Sequence, residues 1–445
     1  MNVQLASKRR QARGFTLVEL MVSLVAGLIV TIAVVGLART ATTTFYEEAR
    51  LSTTEATVRS AAERLRQDLS RASYMSTGNI RLARNDSPSV PFGQKISHIP
   101  GAATPSRYGA RTDDLSGIRI TVGGSQAGAQ GPSNLSTANG LNPDSIQLTG
   151  NFTTDDSYRG KMTGTNSIVL KLLPDPPAAQ VPDPVIARLI AGPDPDKAAR
   201  NAFTPGSQTG AIPPFLARVA DPRGCLHFVV ISNVVGTAAG VTLTFAAAVT
   251  GNPVLLPTED QSTCGANDQE EVTVNPIQTV RWYIGATNPA LAPDVSVNQV
   301  GNKFDLYRNI VDAAGADVPS PGGPQVVAEY VIDLKFGISV DGFAPPPGNQ
   351  LSFDMDTDGV SIGNWTQAAS ATLTGNPAPH RVRAVRFRLA TRASLPDRDA
   401  PLSLLPGQPY ISRYCTQAAT PCKQFARVRT IMSEVTLLNQ AGMTY

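Results

Sequence analysis

Residues 13–20, Arg13-Gly14-Phe15-Thr16-Leu17-Val18-Glu19-Leu20, put a carboxylate inside an otherwise apolar run. From Phe15 to Ala38, Glu19 is the only charged side chain, and Lys8, Arg9, Arg10 and Arg13 come just before it. A carboxylate inside a bilayer costs a few kcal/mol unless it finds a proton or a partner. A cut between Gly14 and Phe15 would supply a partner. The new α-amine of Phe15 would have a reference pKa of about 8, and Glu19 would become the fifth residue of the shortened chain. Amine and carboxylate can then pair, within one helix or between helices offset along an assembly. The pair offsets burial only while both charges are present.

Two other groups of residues have chemistry-bearing spacing. Asp354, Asp356 and Asp358, followed by Gly359, match the first half of an EF-hand-type loop, in which oxygen ligands hold Ca²⁺ and the glycine permits a sharp turn. The match ends there: position 9 of such a loop is Ile362 and position 12 is Trp365. An acidic hairpin turn is the competing reading, and a Ca²⁺ site would need ligands from elsewhere in the chain.

The four cysteines, Cys225, Cys264, Cys415 and Cys422, have no zinc-site spacing. On the exported side of a membrane an even count implies disulfides, for which three pairings are open. The sequential one, Cys225–Cys264 and Cys415–Cys422, is favoured, and would contribute about 4 and 2.5 kcal/mol in the chain-entropy model. His98, His227 and His380 sit in unrelated surroundings, and no Gly-x-Ser-x-Gly elbow, His-Glu-x-x-His pair or Walker loop occurs. An enzyme is not expected.

The elements that must position these groups follow from length and pattern. From Phe15 to Ala38 a helix would be about 36 Å long, enough to cross a hydrocarbon core of about 30 Å. The run is too long for a secretory signal core, and the basic cluster before it reads as a cytoplasmic flank. Ala61, Leu65, Leu69 and Ala72 then recur at helical spacing among charged residues, so one continuous helix is expected over 15–75, with its membrane half at about 15–38.

Beyond residue 76 the chain reads as all-β. Strands are expected at 117–122, 145–148, 167–172, 226–232, 241–246, 272–274, 279–284, 304–307, 326–338, 381–391 and 425–438. In 381–389 basic and apolar residues largely alternate, which predicts a solvated arginine face. Residues 123–142 and the proline-rich 173–222 are expected to be long surface loops. The net charge of +3 falls to −1 without the basic leader of residues 1–14, so it makes no case for nucleic-acid binding.

The stretch Arg13–Leu20 resembles the processing site of type IV prepilins and type II secretion pseudopilins. The resemblance implies that a prepilin peptidase cuts after Gly14 and methylates Phe15, and that Glu19 guides docking onto a growing fibre. A softer resemblance to PilW-type minor pilins lies in Thr279-Val280-Arg281-Trp282-Tyr283, Leu306-Tyr307-Arg308, Val331-Ile332-Asp333-Leu334-Lys335-Phe336, Val382-Arg383-Ala384-Val385-Arg386 and Val428–Asn439. It implies an α+β fold in which the long N-terminal helix packs on a β-rich, mostly antiparallel head with long loops. The organisation expected is a 1–14 leader, a 15–75 helix and a 76–445 head with large insertions at about 76–225.

The function so implied is that of a minor pilin which primes type IV pilus assembly and sits in a tip complex. Its partners would be the major pilin, other minor pilins, the prepilin peptidase, the inner-membrane assembly platform, a PilY-type tip adhesin and inner-membrane lipid. It would span the inner membrane of a Gram-negative cell once, with its head in the periplasm, and reach the cell surface after assembly. Two other readings are kept: a J-like minor pseudopilin of type II secretion, and a membrane-tethered adhesin.

Overall fold

The computed structural model describes residues 16–76, 96–98, 116–122, 143–164, 166–173, 182–205, 215–222, 226–245, 270–286, 303–312, 317–318, 324–340, 379–395, 413–415 and 425–441. A 54-residue helix, α1 (Leu17–Ser70), opens the chain. The strands are β1 (Ile96–His98), β2 (Ile118–Thr121), β3 (Ser145–Gly150), β4 (Tyr158–Met162) and β5 (Ser167–Lys171), then β6 (Phe215–Ala220), β7 (Leu226–Thr237) and β8 (Gly240–Phe245). They continue with β9 (Glu271–Ala286), β10 (Phe304–Val311), β11 (Gln325–Ala328), β12 (Val331–Val340), β13 (Val382–Arg392), β14 (Arg413–Cys415) and β15 (Phe425–Thr436). Among the described residues there are also three short α-helices, α2 (Pro184–Leu189), α3 (Pro195–Phe203) and α4 (Leu438–Ala441). The α+β composition, a long helix followed by an antiparallel β-rich head, is the one expected.

Contacts divide the chain into two units, 1–53 and 54–445. In the first, α1 runs as a single apolar rod. Leu17, Leu20, Leu24, Leu28, Ile32 and Val35 are all exposed, and it is the one helix among the described residues long and apolar enough to cross a membrane. Just past the apolar stretch, the hydroxyls of Thr40, Thr42, Thr43 and Thr44 each donate to a carbonyl four residues back. Such bonds satisfy a hydroxyl locally, without a partner from outside the helix.

In the second unit the last turns of α1 bury one stripe. Val58, Ala61, Ala62, Leu65, Leu69 and Ala72 form one cluster with Ile118, Ile146, Val280, Trp282 and Leu306 on one side, and Leu334, Phe336, Val385, Phe387 and Leu389 on the other. Two antiparallel sheets therefore share the helix. One holds β2, β3, the second half of β9, β10 and β11; the other runs β12-β13-β15-β14. The stripe expected from the spacing of Ala61, Leu65, Leu69 and Ala72 is the observed one.

Six further strands close on themselves. β6 pairs with β7, β7 with β8, β8 with β5, β5 with β4, β4 with β9, and β9 with β6 again. All six ladders are antiparallel, so the strands form a closed barrel with no edge left inside it. A barrel this small is filled by its own side chains. Tyr158, Met162, Ile168, Leu170, Phe215, Val219, Ile231, Leu243 and Val274 supply that core, with Ile186 and Leu189 of α2 and Ala199 and Phe203 of α3 in the same cluster. The 16-residue β9 belongs to both structures: residues 271–277 close the barrel, and 278–286 lie in the sheet against α1.

Several expectations are corrected. The stretch 173–222 is not one surface loop, because it holds α2, α3 and β6. The strands expected at 272–274 and 279–284 are one strand. Pro276 falls between the end of the β4 ladder at Val274 and the start of the β3 ladder at Gln278, where a residue without N–H costs a sheet least. The strand expected at 326–338 is two, broken at Tyr330, whose φ of 56° turns the chain from one sheet to the other.

The helix ends at Ser70 rather than near residue 75, and Ser73 and Met75 take left-handed conformations. Gly150 lies against that turn, where a Cβ would come within 2.6 Å of the Arg71 carbonyl oxygen. The arginines of β13 are a solvated face only in part: Arg383 and Arg386 are half-buried, with Arg386 pairing Glu434 at the surface. A register shift near Arg383 puts Val382 and Val385 both in the core. Arg388 is buried and its Nε donates to Asp333 Oδ2 at 2.7 Å.

Candidate processing and assembly site

The start of α1 is built by two side chains in the pattern Thr-x-x-Glu. The backbone N–H and the hydroxyl of Thr16 both donate to Glu19 Oε2 at 3.0 Å, and the Glu19 N–H approaches Thr16 Oγ1 at 3.3 Å. This is a capping box: each residue satisfies an amide that the first helical turn leaves without an intrahelical acceptor. The carboxylate also sits at the positive end of the helix dipole. Both donors fall on Oε2, and Oε1 accepts from none of the described residues. Glu19 thus has a role before any second chain arrives, as the cap of its own helix, with one oxygen left for a further donor. The Thr-x-x-Glu spacing that identifies the box is visible in the sequence.

Gly14 and Phe15 lie outside the described residues, so the structure does not bring the cleavage point together with Glu19. The carboxylates Asp354, Asp356 and Asp358 lie outside them too, as do Cys225, Cys264 and Cys422. Cys415 ends β14 opposite Phe425 of β15, so the interval holding Cys422 joins two paired strands.

At the other end of α1 a second carboxylate does work that its sequence context conceals. Asp68 is buried among the helix's core residues. Its Oδ2 accepts from Trp282 Nε1 at 2.8 Å and from Arg308 Nε at 2.7 Å, and its Oδ1 from Arg308 Nη2 at 3.3 Å. Trp282 and Arg308 are directly opposite on β9 and β10, so one carboxylate ties the helix to two strands at once. Elsewhere, Asp144 joins β3 to β12: its N–H donates to the Leu334 carbonyl at 2.6 Å and its carboxylate accepts from Lys335 Nζ at 3.0 Å. At the sheet switch, Tyr330 N–H donates to Asp305 Oδ1 at 3.2 Å. The Tyr330 ring lies near Lys303, at 5.1 Å, and Arg392, at 4.9 Å.

Comparison with known proteins reaches only the N-terminus. Residues 9–35 match the family model of the prokaryotic N-terminal methylation motif, the prepilin-like signature, which makes the chain type IV pilin-like over its first segment. No curated protein and no solved structure matches the chain. Motif and apolar helix together mark a membrane-anchored precursor of the pilin and pseudopilin kind.

Proposed function

We propose that this chain is a minor pilin of the PilW type that primes type IV pilus assembly and sits in a complex at the fibre tip. The observation that carries the reading is the methylation motif at 9–35 at the head of a helix whose apolar half, outside the second unit, is fully exposed. Exposed apolar surface of that extent needs lipid or neighbouring helices. In this reading a prepilin peptidase cuts between Gly14 and Phe15, and the Phe15 amine and Glu19 guide docking. The rod is stored in the inner membrane and then packed in the fibre, with the head in the periplasm before assembly and at the surface after it. The role is structural rather than enzymatic. Its partners are the major pilin, other minor pilins, the assembly platform and a tip adhesin.

The PilW assignment draws support from placement. The five quoted segments fall on β9, β10, β12, β13 and the β15–α4 stretch, all in the two sheets that share α1. The barrel strands β4 to β8 lie outside them, as an insertion would.

The test is mass spectrometry of the N-terminal peptide from membranes and from sheared surface fibres. Methylated Phe15 in both fractions supports a pilus subunit. The same peptide confined to membranes favours a pseudopilin of type II secretion. An intact Met1 sinks both readings. Deletion separates priming from adhesion: loss of a primer reduces fibre number, whereas loss of an adhesin leaves fibres and lowers attachment.

A further inference from the structure

The turn that follows α1 places a sulfur among hydrogen-bond donors. Met75 Sδ is approached by Asn275 Nδ2 of β9 at 3.3 Å, by Asn151 Nδ2 at 3.8 Å and by the Ser157 hydroxyl at 3.8 Å. Asn151 follows β3 and Ser157 precedes β4. One side chain therefore meets the end of α1, the β3–β4 connection and the strand that the barrel and the helix-backed sheet share.

The donors are held in place independently of the sulfur. Asn151 Oδ1 accepts from the Thr154 N–H at 3.1 Å and the Thr153 N–H at 3.3 Å, and the Asn151 N–H donates to the Tyr74 carbonyl at 2.9 Å. Asn275 Nδ2 also donates to Ser157 Oγ at 2.9 Å. Asn151 and Asn275 are both buried. A thioether is a weak acceptor, and for Asn151 Nδ2 it is the only one among the described residues. A buried amide donor is rarely served so poorly. An N–H···O hydrogen bond spans about 2.9 Å. An oxygen carried on the sulfur would stand one S–O bond nearer the donors, and would bring a strong acceptor into that range of Asn151 and Ser157. The cluster reaches the surface, since Met75 is half-buried and Ser157 is exposed.

We propose that Met75 is an oxidation site whose sulfoxide is bound better than its thioether, so that a hydroperoxide tightens the head at this joint. A sulfur lone pair attacks one oxygen of hydrogen peroxide, and the S–O bond forms as the O–O bond breaks. The proton on the transferred oxygen passes to the departing hydroxide, which leaves as water. The sulfur loses two electrons and the peroxide gains them. Methionine sulfoxide ordinarily disrupts a packed region, because a polar group replaces an apolar one. At Met75 the new oxygen meets donors already in position. Met162, buried in the barrel core, and Met432, 61% exposed on β15, have no such donors among the described residues.

The experiment treats the full chain in detergent micelles with hydrogen peroxide. Peptide mass spectrometry reads the oxygen gained at Met75 and at Met432, and calorimetry reads the melting temperature before and after. Met75 is converted, and the wild-type melting temperature rises on oxidation by about 2 °C, the size expected of one gained hydrogen bond in a large domain. Met75→Leu shows no rise. Ser157→Ala removes one donor at an exposed position. Asn151→Asp removes the other and keeps an oxygen for the Thr153 and Thr154 amides. Both variants still convert Met75, and both diminish the rise or turn it into a fall. Each variant is compared with its own unoxidised form, so the effect of the substitution itself cancels. Met75 left as a thioether while Met432 is converted overturns the proposal. So do a wild-type melting temperature that falls or stays level on oxidation, a rise that persists in Met75→Leu, and a rise undiminished in either donor variant.

Discussion

At the residue scale, two carboxylates on one helix do opposite kinds of work. Glu19 is exposed and caps the start of α1, while Asp68 is buried and clamps its end. Substituting Glu19 by Gln keeps a capping-box residue, because Gln serves at that position as Glu does, but removes the charge. We expect Glu19→Gln to be processed as wild type yet to leave few or no sheared fibres, with Glu19→Ala failing in the same way. Wild-type fibre numbers in the Gln variant would show that the cap, not the charge, is what assembly needs. For Asp68, replacement by Ala strands a buried guanidinium and an indole N–H, a change worth about 3–5 kcal/mol. Urea unfolding of the variant should show that loss, and Asp68→Ala, Arg308→Ala together should cost less than the sum of the two singles. The role of Glu19 was legible because a charge among apolar residues stands out. That of Asp68 was not: it follows Glu63, Arg64, Arg66 and Gln67 and looks like one more solvated residue. Its partners lie 214 and 240 residues further on, and no local pattern reveals them.

At the element scale, the lesson is in the short helices. The prolines of Asp183-Pro184 and Asp194-Pro195 suggest loop. Both are helix starts, with the Asp side chain accepting from Val185 N–H at 2.8 Å and from Lys197 N–H at 3.0 Å, and proline in the first turn, where its missing donor does no harm. Helix α3 docks on β7 through Asp196, whose Oδ1 accepts from Gly236 N–H at 2.9 Å and whose Oδ2 pairs with Arg200 at 2.7 Å. Gly236 permits the approach, since a Cβ there would lie 2.3 Å from the Pro195 carbonyl oxygen. The Gly236 amide, with help from Arg200, holds the Asp196 carboxyl below its ordinary range. A depressed carboxylate contributes stability above its unfolded pKa, about 3.9 for Asp, and loses it as pH falls through the folded value. Wild type should therefore melt above Asp196→Asn by a constant margin from pH 5 to 7, and the margin should shrink towards pH 3 in calorimetry. A margin that does not change with pH would remove the charge from the account. The strand switch at Tyr330 was illegible for a different reason. Val326 to Ile338 is a run of mostly β-favouring residues with no proline to mark a break, and what breaks it is a positive φ held by Asp305, Lys303 and Arg392 from elsewhere in the chain.

At the scale of the whole molecule, the broad plan was readable and the barrel was not. A long apolar run, a helical stripe and alternating strands announce themselves locally, whereas ring closure depends on which strands meet. β6 finds both β7, a few residues on, and β9, more than fifty residues on. Because β9 is a single strand in both the barrel and the helix-backed sheet, neither can lose it alone. We expect the second unit to unfold in a single calorimetric transition, with calorimetric and van't Hoff enthalpies that agree. Two separated transitions would mean that β9 is divisible at Pro276. The same shared strand also orders events in time. A chain delivered from its N-terminus can pair β4 with β5, and β7 with β8, as they emerge, but the ring stays open until residues 271–277 arrive. The core around α1 waits longer still, for β13 and β15, the last long strands. Until then the half-formed head exposes strand edges and apolar faces of the kind that aggregate. The protein's most vulnerable moment thus falls late in its delivery, when the helix is already in place and the strands that cover it are still to come.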